Sequence, residues 1–162
     1  MAPATDDTQA TLTLPTDSQI LVTRAFAAPR ALVYRAWTSP ELVRRWWHAK
    51  RGEMTVAEID LRVGGQWRYA MVTPSGQEVA FHGVYREIVP GERIVSTEVF
   101  EGFPDHEALN TLTFADAGDG TLMTILNEHG SREVRDMVLG TGMEAGLQDA
   151  LELLEETAMS LI

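Results

Sequence analysis

Trp46 and Trp47 stand side by side, after Arg44 and Arg45 and before His48, with Lys50 and Arg51 just beyond. Aromatic rings among basic residues can stack on nucleic-acid bases, anchor a protein interface or close a core. A formal net charge of −11 repels a phosphate backbone, so no nucleic-acid partner is expected. On a helix, adjacent side chains point about 100° apart. One indole can then enter the core while its neighbour is left at a rim. Trp46 reads as the packing residue. Trp47, with Arg44 and His48, reads as rim or partner surface as readily as packing.

Other candidate chemistry is thin. The four histidines, His48, His82, His106 and His129, show no metal-ligand spacing within one element, so no metal is expected. The chain has no cysteine, which excludes disulfides, thiol nucleophiles and cysteine-held zinc. No GxSxG elbow is present. The stretch GTGMEA over 140–145 matches a dinucleotide fingerprint in letters only, because that mechanism needs a preceding strand and a βαβ unit. No cofactor and no catalytic residue are assigned. Gly140, Gly142 and Gly146 instead suggest a helix thinned against a sheet or around a ligand, since each costs a helix about 1 kcal/mol relative to alanine.

The elements that must position these residues follow from pattern. The 162 residues, 44% of them hydrophobic, suit one domain with one core. Residues 1–18 read as a flexible lead-in, with Leu12 and Leu14 as points of partial order, and 19–158 as the domain. The N-terminus has no basic segment followed by an apolar run, and no apolar stretch could span a bilayer, so a cytoplasmic chain without membrane contact is expected. QILVTRAF (19–26) alternates as a strand. Pro29 and Ser39-Pro40 open two short helices. Six strand-like segments follow between Met54 and Glu128, with turns at TPSG (73–76), PGER (90–93) and DAGDG (116–120). Ser131 is placed to cap a final helix whose face is Leu147, Leu151, Leu154 and Ala158. About 25 residues would make a rod of roughly 38 Å, long enough to cross a sheet. The predicted fold class is α+β, with a seven-stranded antiparallel sheet, two short helices after its first strand and one long C-terminal helix as lid.

Four stretches carry a family resemblance: RAFAAPRALVYRAWTSPELVRRWW, DLRVGGQWRY, GVYREIVPGERIV and GMEAGLQDALELL. Together they resemble the SRPBCC (START / Bet v 1-like) superfamily, and within it the bacterial proteins similar to the C-terminal domain of the activator of heat-shock protein 90 ATPase. The resemblance spans about Gln19 to Glu156. It implies a helix-grip fold, a curved sheet around the C-terminal helix with a ligand cavity between them. Relatives commonly follow the tryptophan pair with Gly-Pro, where this chain has His48-Ala49-Lys50, so the turn there should differ. A chain of 162 residues leaves no room for the further domain of the eukaryotic activator, so that activity is not implied.

Three functional readings are kept. The favoured one is a protein binding a small apolar or aromatic ligand, with no reaction assigned. Trp67, Tyr69 and Met71 alternate on one strand face, as Phe81 and Tyr85 do on another. With Phe100, Met143 and Leu147 they are the expected cavity lining, and His82 or Tyr85 the polar anchor. Which strand face points inward stays open, because one bulge inverts it. The second reading is a cyclase-like or hydrolase-like enzyme on a polycyclic substrate, using cavity groups as acid and base. The third is an interaction module, a homodimer or a chaperone partner in a stress response, built on Trp47 and nearby arginines.

Overall fold

The computed structural model describes residues 9–162. In chain order the strands are β1 (Thr11–Thr13), β2 (Gln19–Phe26), β3 (Glu53–Ile59), β4 (Gln66–Val72), β5 (Glu78–Val89), β6 (Arg93–Phe100), β7 (Glu107–Ala117) and β8 (Gly120–Glu128). They form one antiparallel sheet ordered β1-β2-β8-β7-β6-β5-β4-β3. Helices α1 (Arg30–Thr38) and α2 (Pro40–Val43) fall between β2 and β3; α3 (Arg132–Gly140) and α4 (Met143–Met159) follow β8. The architecture is the expected α+β helix-grip with two corrections.

The sheet has eight strands, not seven. The lead-in read over 1–18 lies outside the described residues up to position 8. Beyond it, Thr11–Thr13 pairs with β2, placing Leu12 opposite Val22. Gln148 of α4 fixes this edge by accepting from the Ala10 N–H and donating to the Ala10 carbonyl, at 2.9 and 2.8 Å. A three-residue strand is too short for alternation to reveal.

The C-terminal helix is two helices. Gly142 adopts φ 80° at the N-cap of α4, a conformation that glycine reaches without the Cβ clash other residues meet. Ser131 caps α3 as expected, accepting from the Val134 N–H at 3.2 Å. The glycines do not serve close approach to the sheet. A Cβ on Gly140 would meet nothing within 4 Å, and one on Gly146 would lie 3.9 Å from the Arg51 guanidinium.

One face of the sheet is the core. Ile20, Val22 and Phe26 on β2, Met123 on β8, and Leu112 and Phe114 on β7 are buried against α1 and against Leu151, Leu154 and Ala158 of α4. Tyr34 meets Phe114 edge-on, and the Trp37 indole N–H points at the Met123 sulfur. Trp46 is 2% exposed. It donates to the Ala36 carbonyl at 3.0 Å and sets its ring 4.5 Å from that of Trp37.

Candidate functional site

Cross-strand register defines what else lines the helix-covered face. On β4 it carries Trp67, Tyr69 and Met71, the first two packed in the core cluster. Phe81 stands opposite Tyr69 on β5 and opposite Phe100 on β6; Tyr85 stands opposite Ser96. Glu98, between Ser96 and Phe100, therefore shares their face. Ser96 stands opposite Asn110 on β7, and Asn110 opposite Asn127 on β8. Tyr85, Ser96, Asn110 and Asn127 thus make a polar row across the middle of an otherwise apolar surface.

These polar groups form a track along the inner face. Burial pushes the Tyr69 and Tyr85 phenols above their ordinary value, and each acts on the other. The Asn127 amide donates to the Asn110 carbonyl oxygen. Asn110 in turn acts on the Glu98 carboxyl. Loss of hydration raises the Glu98 pKa from 4.5, and the Asn110 amide opposes that rise. Two polar atoms are left over. The Trp67 indole Nε1 and the His129 Nε2 are buried with no hydrogen-bond partner among the described residues. Such orphans typically cost about 1–3 kcal/mol each.

An aromatic wall borders the track. Trp47 comes down from the turn after α2 and meets Tyr69 and Phe81 edge-on, each at 5.7 Å. Trp67 lies 4.9 Å from Tyr69, and Phe100 lies 5.0 Å from Phe81. The helices do not seal this face. Glu98, Asn110, Ile125, Phe81, Leu139 and Leu147 are half-buried, and Phe100 is 40% exposed.

The turn that delivers Trp47 is strained. Ala49 and Lys50 have φ 53° and 62°, in the region where a Cβ costs roughly 1–2 kcal/mol. Several bonds hold it: His48 Nδ1 accepts from the Lys50 N–H at 3.0 Å, Arg51 donates to the Ala49 carbonyl at 2.6 Å, and Arg51 pairs with Asp149 of α4 at 2.8 Å. Lys50 pairs with Glu152 at 3.8 Å. The expected basic patch is therefore half neutralised by α4, with Arg44 left exposed. The departure from Gly-Pro at this point falls on this turn.

His82 does not join the site. It follows Phe81 on β5 and so faces the other side of the sheet, where its Nδ1 lies 3.0 Å from Glu101. Glu101 takes a two-pronged bond from Arg68 at 2.8 and 2.9 Å, which with His82 holds its carboxyl down at about 2. This is a solvent-facing ion cluster. Met71 is buried but stands outside the main core cluster, Leu147 packs against that cluster, and Met143 is half-buried at the start of α4. Sequence reasoning missed Glu98, Asn110 and Asn127. The available signal was parity, since Glu98 is two residues before Phe100.

Two surface hollows of about 450 and 480 Å³ lie elsewhere, one lined by Glu58, Asp60, Arg62 and Gln66, the other by Arg24, Gln148, Glu152 and Glu155. Neither includes a residue of the Tyr69–Glu98 track. Among the described residues no group of three His, Asp or Glu could hold a metal, and no helix is long and apolar enough to cross a membrane.

The model of the family "Activator of Hsp90 ATPase homolog 1-like protein" matches residues 27–159. The chain belongs to that family. Several solved structures similar to this activator-like chain come from bacteria. It is similar to one from Rhodobacter sphaeroides at 23% identity, TM-score 0.88, over 95% of this chain and 100% of that one. A protein from Chromobacterium violaceum is 32% identical, TM-score 0.74, over 85% of this chain and 95% of that one. An AHSA1-like protein from Aeromonas hydrophila is 19% identical, TM-score 0.69, over 88% and 93%. No curated protein matches the activator-like chain.

Proposed function

We propose that this chain binds a small, mainly apolar or aromatic molecule on the inner face of its sheet, beneath α3 and α4. One observation carries the reading: the Trp47–Tyr69–Phe81–Phe100 wall borders a row of polar side chains on the inner face, and half of these groups remain reachable by solvent. A site built only to pack would bury them, and one built only for solvent would not set Tyr69, Tyr85 and Glu98 together on an apolar surface. The family's helix-grip fold supports the same reading, since a sheet wrapped round a helix leaves room between them. Burial of about 200 Å² of apolar ligand surface would supply roughly 5 kcal/mol before the costs of ordering. The polar track would set orientation.

The test is titration of the neutral fluorophore N-phenyl-1-naphthylamine into the wild type and into Leu147→Trp, with circular dichroism and thermal melting as folding controls. Saturable enhancement in the wild type, weakened at least tenfold by the added indole, is expected. No saturable binding to the folded wild type would overturn the proposal.

A further inference from the structure

Glu98 differs from the half-buried carboxylates Glu101, Asp149 and Glu155, each of which faces an arginine. Glu155 pairs with Arg24 at 3.2 Å and Glu101 with Arg68 at 2.8 Å. Glu98 has no ion pair among the described residues, and the polar group that acts on its carboxyl is the neutral Asn110 amide. Cations of the inner face and of α3 are engaged elsewhere. Arg24, also on the inner face, holds Glu155 and lies over the Phe26 ring at 4.4 Å. Arg135 of α3 donates to the Thr16 carbonyl at 2.7 Å and to Asp136 at 2.8 Å. His129, two residues after Asn127, is held toward its neutral form by burial and by Arg135.

An acidic group desolvated without a counter-charge is costly. It becomes favourable when a cation arrives to pair with it. The surroundings suit such a cation. Glu98 lies close enough for its charge to act on the Tyr69 phenol, and Phe100, Phe81 and Trp47 continue from it as a run of rings. Aromatic faces attract ammonium groups within about 6 Å. The net charge of −11 enriches cations and depletes anions near the chain.

We propose that the ligand is an apolar or aromatic molecule bearing a basic amine, and that Glu98 is the counter-charge that receives the ammonium. This deepens the binding function proposed above and rests on it. The ammonium would donate to the Glu98 carboxylate, Asn110 would keep the other carboxylate lone pairs satisfied, and the apolar body would lie along Phe81, Trp47 and Tyr69.

The experiment compares two probes with one fluorophore: dansylcadaverine, which ends in an ammonium, and N-hexyl dansylamide, its neutral counterpart. Each is titrated into the wild type and into Glu98→Gln, which keeps the shape and the acceptor for Asn110. Dansylcadaverine should bind the wild type at least about tenfold tighter than the neutral probe. Glu98→Gln should abolish that preference, so that the two probes bind it with equal affinity. If the neutral probe binds and the ammonium gives no advantage, or the advantage survives in Glu98→Gln, the amine assignment is wrong and the binding function stands. If neither probe binds the folded wild type, both are wrong.

Discussion

Trp47 sets its ring edge-on to that of Tyr69, with centroids 5.7 Å apart. This joins the turn after α2 to the middle of β4, and the same turn is tied to α4 through Arg51 and Asp149. The adjacent Trp46 points the other way, into the core against Trp37. The pair should separate in mutation. Trp46→Ala should cost about 3–5 kcal/mol of stability, as expected of a buried indole. Trp47→Ala loses two edge-on aromatic contacts and should cost about 1–3 kcal/mol. Its larger effect should be on binding of N-phenyl-1-naphthylamine. Urea unfolding of both variants, with probe titration of Trp47→Ala, checks this.

Alternation was sufficient to group Trp67 with Tyr69 and Phe81 with Tyr85, because a strand's side-chain period is two. Period alone carries no sign, so it could not say which group faces the helices. The contacts of Trp47 with Tyr69 and Phe81 supply that sign and send His82 outward. Register shifts between Met54 and Val56 and between Tyr85 and Glu87 are invisible in the residue pattern, since a bulge changes spacing without changing composition. Glu98 escaped notice because a strand carboxylate ordinarily faces water. The helix break at Gly142 escaped because the apolar repeat continues across it.

Gly83 is fixed by close approach. A Cβ there would overlap the Thr97 carbonyl oxygen and lie 2.6 Å from the Trp67 Nε1. The first obstacle is backbone and cannot turn aside. Gly83→Ala should therefore destabilise by about 1–3 kcal/mol or more and shift Trp67 fluorescence. A thermal melt indistinguishable from the wild type would show that the β5–β6 contact is looser than described.

Two glycines of the C-terminal segment should respond in opposite directions. Gly142, at φ 80°, breaks α3 from α4, and Gly142→Ala should cost roughly 1–2 kcal/mol. Gly146 lies inside α4 with its nearest neighbour, Arg51, 3.9 Å from a would-be Cβ. Gly146→Ala should stabilise by about 0.5–1 kcal/mol through helix propensity. Denaturant midpoints of the two variants measure both signs, and a Gly142→Ala variant as stable as the wild type would refute the left-handed junction.

The Glu98 carboxyl predicts a pH dependence. Its folded pKa is raised above 4.5, chiefly by burial. Below 4.5 the carboxyl is protonated in both folded and unfolded chains and adds nothing. As pH rises from there through the folded value, the unfolded chain gives up the proton first, so folding stability falls. Above the folded value the loss is complete and constant. Glu98→Gln cannot ionise and escapes this loss. Its melting temperature should match the wild type at the acid end, rise above it as pH increases through that window, and keep a constant lead at neutral pH. The Arg68–Glu101 pair on the other face runs the opposite way, because its lowered carboxyl stabilises above 4.5 and loses that contribution as pH falls toward about 2. That term is common to both proteins and cancels in the difference between them. A difference that is flat with pH, or that favours the wild type at neutral pH without added amine, would mean that the Glu98 carboxylate is adequately solvated or paired in the free protein.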